Sequence, residues 1–243
     1  GDRGGDEMVV RCGDELTLES LNCPEVSGVI GAVTGEKLGR PVRVRFAMGG
    51  GEAAPEDKLE ELIRQSHGHT LALFTSYRMM EMVYQELAGK IEDFPLFSMG
   101  KGRLEAIREF RRSGNGVLLA SDSAGEGIDL AGDILSSLVV VKLPFPVPDP
   151  VLEYEKSFHE DFHEYLAEVI VPEMLMKLRQ WIGRGIRRET DTCVFSILDC
   201  RASGRYKNDI LASLPDMPMT ERIEDVGIFI RGSKPESYFI DGE

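Results

Sequence analysis

From about residue 56 onward, apolar positions alternate between helical and extended spacing. Leu59, Leu62 and Ile63 recur at helical intervals, and a continuous apolar run follows at residues 70–74. The later predicted segments are helices at 79–87, 104–110 and 208–214, and strands at 94–97, 117–120, 138–143 and 193–198. Continuous apolar strands that alternate with helices indicate an α/β fold with a mainly parallel sheet flanked by helices.

Two stretches interrupt this alternation. Residues 144–150 carry four prolines, which lack backbone donors and fix φ, so the stretch is predicted to be a rigid loop. A long helical zone is then predicted from residue 151 to about residue 188, with a break near Val171-Pro172.

The first fifty residues have a different pattern. Extended segments are predicted at 8–11, 15–18 and 42–46, and Gly49-Gly50-Gly51 follows as a flexible joint. The pattern predicts a β-rich segment over 1–50, without an assigned role, and an α/β domain over 51–243.

Composition limits the functions that the chain can have. Of the 243 residues 42% are apolar, enough for a sizeable core, and the formal charge of -14 excludes a general electrostatic footprint for nucleic acid. No apolar run reaches the ~18 residues of a membrane span, and residues 1–7 lack the apolar core of a signal peptide. We therefore expect a soluble, cytoplasmic protein without a membrane partner.

Charge and cysteine spacing refine this picture. Basic residues gather in two clusters, near residues 101–112 and 177–188, which are either local strand-binding surfaces or solvated helix faces. The four cysteines, Cys12, Cys23, Cys193 and Cys200, include no Cys-x-x-Cys pair. That spacing argues for reduced thiols and against an iron–sulfur cluster or zinc ribbon within this chain.

Two motifs carry candidate chemistry. In residues 123–130 a glycine-rich segment follows an apolar run and places Glu126 and Asp129 where the backbone can turn sharply beside a ligand. In residues 180–188, Arg184 and Arg187 are three apart on the predicted helix, so both guanidinium groups should project from one face, as suits a polyphosphate. Gly183 within that helix, together with Gly185, would cost about 2 kcal/mol relative to alanine, which indicates close approach to a ligand or a neighbouring segment.

In this order the two motifs resemble motifs V and VI of superfamily 2 helicases, specifically of the DinG/XPD-like branch. Residues 142–146, Lys-Leu-Pro-Phe-Pro, also look like this family, and residues 74–77, Phe-Thr-Ser-Tyr, are similar to its motif IV. The resemblance covers residues 50–240 and implies the second of two RecA-like (P-loop NTPase-like) domains of an ATP-dependent DNA helicase.

The resemblance also implies roles for individual residues and for partners. ATP and Mg²⁺ would lie between this domain and the first helicase domain of the same parent chain, and single-stranded DNA would be the substrate. Arg184 and Arg187 would be the catalytic arginine fingers. The nucleotide-binding residues would be Gln180, Gly183, Glu126, Gly127 and Asp129, and the DNA-binding residues Thr75, Ser76 and Ser123.

Simpler structural roles exist for some of these positions. Asp129 is suited to capping a turn, and Thr75 or Ser76 to capping the helix that follows. A dinucleotide-binding loop, by contrast, requires a third glycine where the chain has Leu130.

An alternative function rests on His159-Glu160-Asp161-Phe162-His163, which matches the His-Glu-x-x-His pattern of zinc peptidases. On a helix it would set two imidazoles one turn apart, with a carboxylate available as general base. A third zinc ligand has no recognisable spacing here. The stripe of Tyr154, Phe158, Phe162 and Leu166 suggests instead that the histidines flank a buried face.

A nucleoside triphosphatase also needs a phosphate-binding loop and an acid for magnesium. The nearest match to that loop, residues 31–38, has one residue too few between its glycines and Leu38 in place of Ser or Thr. We therefore expect this chain alone to be inactive and to depend on the other domain. A non-catalytic nucleic-acid-binding module with the same fold is the remaining alternative.

Overall fold

The computed structural model describes residues 6–12, 42–48, 55–100, 103–121, 130, 132–147, 149–159, 161–186 and 191–239. The chain divides into two compact units, Gly1–Asp57 and Lys58–Glu243. The domain boundary expected near residue 50 stays a prediction.

In the first unit, β1 (Asp6–Cys12) pairs in parallel with β2 (Val42–Met48). The extended segments predicted at 8–11 and 42–46 fall within these two strands. The segment predicted at 15–18 lies outside the described residues.

The second unit contains a parallel sheet whose strands are β3 (Thr70–Phe74), β4 (Leu96–Ser98), β5 (Val117–Ser121), β6 (Ser137–Val140) and β7 (Val194–Ile197). Their order across the sheet is β4-β5-β3-β6-β7, and every neighbouring pair is parallel. The three central strands are buried along their whole length, which explains their continuous apolar sequences. The predicted α/β fold with a parallel sheet is confirmed.

Helices surround this sheet. In chain order the described ones are α1 (Pro55–Gln65), α2 (Tyr77–Ala88), α3 (Arg103–Ser113), α4 (Pro150–Lys156), α5 (Phe162–Tyr165), a π-helix (Leu166–Ile170), α6 (Val171–Ile182), α7 (Cys200–Ser203), α8 (Lys207–Ser213), α9 (Glu224–Ser233) and a 3₁₀ turn (Glu236–Phe239). None of them is long and apolar enough to cross a bilayer.

One face of the sheet forms the main core with α3, α6 and α8. Leu71 and Leu73 of β3 alternate toward this face, as the period of two requires, and Trp181 of α6 is almost fully buried among them. The other members with less than 5% exposure include Phe110, Leu118, Ala120, Leu138, Val140, Met174, Leu178 and Ile210. Helix α6 is thereby anchored on the sheet.

The long helix predicted over 151–188 differs from the structure in three places. Helix α4 ends at Lys156, and α5 begins only at Phe162, where the Asp161 carboxylate accepts a hydrogen bond from Glu164 N at 2.8 Å. Pro172 does not break the run, because it lies in the first turn of α6, where its missing N–H does little harm. The run ends at Ile182 rather than near residue 188.

Candidate functional site

The carboxyl ends of the parallel strands share one edge of the sheet. Thr75 follows β3, Ser121 ends β5 and Asp199 follows β7. Ligands of open α/β sheets bind at this edge, where connections leave toward opposite faces. The connection after β3 runs to the edge strand β4, whereas the one after β5 passes β3 to reach β6. These two connections run in opposite directions along the sheet, and right-handed crossovers therefore put them on opposite faces. The crevice between them opens at the carboxyl ends of the neighbouring strands β3 and β5.

The glycine-rich motif is the connection that starts at this point. The structure describes its two flanks, Ser121 and Leu130, and both are buried. Ser123, Glu126, Gly127 and Asp129 lie outside the described residues, so their assigned roles stay predictions.

Thr75 and Ser76 lie at the same edge. Ser76 is the N-cap of α2, with extended φ and ψ of -138° and 132°, and its Oγ accepts a hydrogen bond from Met79 N at 3.4 Å. The capping role is therefore confirmed. Ser76 is exposed and Thr75 is half-buried, and their contact with a nucleic-acid strand stays a prediction.

The arginine motif begins in the turn that ends α6. Gly183 N donates to Arg179 O at 2.9 Å, and Arg184 N and Gly185 N then donate to Trp181 O and Ile182 O. Arg184 thus lies beyond the helix, in a run of tight turns. The prediction that Arg184 lies on this helix is wrong, because the helix ends at Ile182. Arg187 lies outside the described residues, so its alignment with Arg184 stays a prediction.

Gly185 explains how this turn is fixed. A Cβ at position 185 would lie 2.6 Å from Phe195 Cε1 and 2.8 Å from Cys193 Sγ, far inside normal contact. The backbone therefore packs directly on the beginning of β7. The close approach predicted from the glycine is present, and the neighbour that the structure shows is a strand.

Gln180 and Arg184 are the described nucleotide-facing candidates. Gln180 is exposed at the end of α6, and Arg184 is partly exposed one turn later. Trp181 and Ile182, between them, are buried, so the backbone that carries both side chains is anchored. The Gly185 contact places Arg184 beside the start of β7, whereas Thr75 and Ser76 lie at the carboxyl edge.

A group of contacts around Asp199, which was not predicted from the sequence, holds the connection after β6 in place. The buried Asp199 carboxylate accepts hydrogen bonds from Leu143 N at 3.0 Å and from the Arg201 guanidinium at 2.6–3.2 Å, and that guanidinium lies 4.7 Å from the Phe145 ring centroid. Burial alone would raise the pKa of Asp199, but the hydrogen bonds from Arg201 and Leu143 outweigh it and lower this pKa. An Asp-x-Arg sequence directly after a predicted strand was the available signal.

The His-Glu-x-x-His pattern does not have the geometry that a zinc peptidase requires. His159 lies in the bend after α4, and His163 lies on α5, so the two imidazoles do not occupy successive turns of one helix. Glu160 lies outside the described residues. The stripe predicted to be buried is also mostly exposed, with 68% of Tyr154, 68% of Phe158 and 58% of Phe162 accessible.

Comparison with known proteins identifies this architecture. The family model described as helicase C-terminal domain matches residues 59–217. The ATP-dependent DNA helicase YoaA of Escherichia coli K12 is 35% identical over 171 residues, which are 68% of this chain and 26% of YoaA. A solved structure of apo XPD is similar with a TM-score of 0.53 and 26% identity, over 68% of this chain and 35% of that one. The chain belongs to the DinG/XPD family of helicase C-terminal domains.

One further relative and one further solved structure are also similar to this chain. The 3'-5' exonuclease DinG of Bacillus subtilis 168 is 28% identical over 72% of this chain and 20% of its own length. The C-terminal domain of the DEAD-box protein Dbp5, at 18% identity, shares the fold with a TM-score of 0.50, over 74% of this chain and 92% of that one. The chain spans about a quarter of the length of YoaA.

Proposed function

We propose that this domain is the second motor domain of an ATP-dependent DNA helicase and that it contributes Arg184 to an ATP site formed mainly by another RecA-like domain. The observation that carries the proposal is the α6 terminus, where a partly exposed arginine follows a helix anchored in the core and precedes a glycine packed on β7. YoaA is named an ATP-dependent DNA helicase, which supports the same assignment.

An arginine on a fixed backbone suits phosphoryl transfer. The transferred γ-phosphoryl group carries its charge on three oxygens, and catalysis depends on cations placed in advance around it. The planar guanidinium fork of Arg184 can donate two hydrogen bonds to such oxygens. Arg187 would add a second guanidinium, and the exposed Gln180 a neutral donor.

The donor set on this chain fits part of an ATP site. Gln180 and Arg184 offer hydrogen-bond donors to phosphate oxygens, and Glu126 and Asp129 would link the nucleotide to the strand-binding loop. Mg²⁺ and the phosphate-binding loop would come from the first helicase domain, because residues 31–38 fail that pattern. Bound Mg²⁺ and ATP would supply the electrophilic phosphorus and the neutralised leaving group.

Single-stranded DNA would lie along the carboxyl edge of the sheet. The hydroxyls of Thr75 and Ser76 can donate to phosphate oxygens, and the Ser76 oxygen can still accept from Met79 N while it does so. Ser123 would act from the neighbouring connection. Contacts of this kind position a strand without reading its sequence.

The test is DNA-stimulated ATP hydrolysis by the natural full-length protein. We expect Arg184→Ala to lower kcat by about 10³-fold, as loss of other arginine fingers does, with a smaller change in KM. Arg231→Ala on α9 is the matched control, since that arginine is also exposed, and it should leave kcat unchanged. Near-normal turnover in Arg184→Ala would refute the assignment.

The same assay addresses the non-catalytic alternative. A binding module without motor activity would show no DNA-stimulated ATP hydrolysis in the full-length protein, whatever the state of residue 184. The Bacillus subtilis relative carries the name exonuclease, so nuclease activity should be measured beside ATP hydrolysis.

A further inference from the structure

A histidine and two glutamates converge where α4 gives way to α5. His159 Nδ1 lies 4.0 Å from Glu164 Oε2 and 3.8 Å from Glu168 Oε2. The three donor atoms all lie within 4.8 Å of one another. An imidazole nitrogen and carboxylate oxygens are metal ligands, and none of these residues has a part in the proposed ATP or DNA contacts.

Local structure brings the three side chains together. His159 lies in the bend after α4, where its backbone N–H donates a hydrogen bond to the backbone carbonyl of Lys156 at 3.2 Å. Glu164 stands in the first turn of α5, and Glu168 follows four residues later in the π-helix, so the two carboxylates project from neighbouring turns. The His159 ring packs 5.5 Å from the Tyr165 ring, with 14% of its side chain exposed, which restricts its orientation.

Electrostatics favour a cation among these donors. Two carboxylates one helical turn apart repel each other and destabilise a helix by about 0.2–0.5 kcal/mol. Both also approach the same imidazole nitrogen, which can donate its lone pair to a metal ion. A divalent ion at the centre would bind all three groups and remove the repulsion.

The donor types indicate which ion. Ca²⁺ and Mg²⁺ prefer sets made only of oxygen, whereas one imidazole with two carboxylates suits Zn²⁺. Zinc bonds of about 2.0–2.1 Å in a tetrahedron put donors about 3.3 Å apart, so donor atoms that now lie 3.8 Å to at most 4.8 Å apart would move closer by about 0.5–1.5 Å. The Glu164 and Glu168 side chains are 43% and 65% exposed and therefore have room to adjust.

We propose that His159 Nδ1, Glu164 and Glu168 bind one zinc ion that fastens the bend after α4 to the helical segment that follows. Three protein ligands leave a fourth position for water. This site differs from the peptidase pattern, in which His163 would be a ligand. It is independent of the proposed helicase function.

Zinc titration of the full chain by isothermal calorimetry tests the proposal. We expect His159→Gln, Glu164→Gln and Glu168→Gln each to weaken zinc binding at this site at least tenfold. The matched controls are His163→Gln, from the peptidase pattern, and Glu155→Gln, an exposed acid on α4; both should bind zinc as the wild type does. Magnesium in excess should not compete.

Two further measurements make the outcome decisive. Zinc should raise the Tm of the wild type and of His163→Gln but not that of Glu168→Gln, because only a native-state ligand stabilises the fold. Cobalt in place of zinc should show no thiolate charge-transfer band, which excludes Cys193 and Cys200 as ligands. Binding that survives all three ligand variants, is lost in His163→Gln or shows the thiolate band would overturn the proposal.

Discussion

At position 185 a hydrogen atom occupies the place where any other side chain would meet β7. A Cβ there would lie 2.6 Å from the Phe195 ring and 2.8 Å from the Cys193 sulfur, and both of these groups are themselves packed against the core. By contrast, a Cβ at Gly183 would come no closer than 3.3 Å to Arg179 O, and its φ of -60° suits any residue. The space available for a side chain therefore differs between the two glycines of the arginine motif.

This difference predicts different effects of alanine. Gly185→Ala should lower the free energy of unfolding by about 1–3 kcal/mol, because an added methyl group forces its packed neighbours apart. Gly183→Ala should change it by less than about 0.5 kcal/mol, as at most exposed sites. Urea unfolding of both variants measures the two values. Equal effects would mean that contact with β7 does not determine the choice of glycine at 185.

Sequence reasoning reached the candidate site only in part, and the reason lies in single residues. Gly185 was correctly singled out as a place of close approach, but Phe195 is ten residues away and nothing in the spacing connects them. Arg184 was placed on a helix, since periodicity continues through residue 182 and does not show where the hydrogen bonds change. Asp199 was missed because its partner, Leu143 N, is a backbone group.

At the scale of elements, burial decides which predictions succeed. Strands β3, β5 and β6 are buried throughout, and their continuous apolar sequences identified them. The stripe from residue 154 to 162 has helical spacing, yet its aromatic residues are exposed and the helix is interrupted at 157–161. Helix α9 was not predicted, because one of its three buried positions is Gly227, which gives no apolar signal.

The turn that leads into β3 contains a histidine, His69, that makes the stability of the fold depend on pH. His67, Gly68 and His69 all have positive φ, and a Cβ at Gly68 would collide with Asn115 O. His69 is buried and stacks on Tyr238 at 3.9 Å. Burial lowers the pKa of His69 from 6.5 to about 4, although backbone groups of Tyr238 and Asp133 partly offset this.

His69 should therefore weaken the fold in acid. The unfolded chain takes up a proton at His69 below about pH 6.5, and the folded chain does not until about pH 4, so stability falls as the pH falls between these values. The loss reaches about 3 kcal/mol at most, since each pKa unit corresponds to about 1.4 kcal/mol. His69→Phe replaces the imidazole with an aromatic ring that does not titrate. Urea unfolding from pH 7 to pH 4.5 should show a smaller decline for this variant; parallel declines would contradict the assignment.

At the scale of the whole molecule, residues 234–238 contact the segments that precede three strands of the sheet. Tyr238 of the 3₁₀ turn donates its hydroxyl to Ser66 O at 2.9 Å, 172 residues earlier. Lys234, after α9, donates to the Asp133 carboxylate at 2.7 Å and to Thr192 O at 3.1 Å. The segment 215–239, for which no helix or strand was predicted, thus joins the strands β3, β6 and β7 at their amino ends.

The ion pair between Lys234 and Asp133 is asymmetric, and this asymmetry predicts the effects of its removal. The Lys234 side chain is 2% exposed and that of Asp133 is 59% exposed. Asp133→Asn leaves a buried ammonium without its counter-charge, whereas Lys234→Met removes the buried charge and leaves an aspartate that water can solvate. We expect Asp133→Asn to cost about 1–3 kcal/mol of unfolding free energy and Lys234→Met to cost less.

Urea unfolding of the two single variants and of the double variant measures this order. In the double variant the penalty of Asp133→Asn should largely disappear, because the ammonium that needed the carboxylate is gone. A larger loss in Lys234→Met than in Asp133→Asn would show that the lysine stem and its bond to Thr192 O, rather than charge, fasten the C-terminal segment. The same comparison at high salt should change little, since a pair with one buried partner is weakly screened.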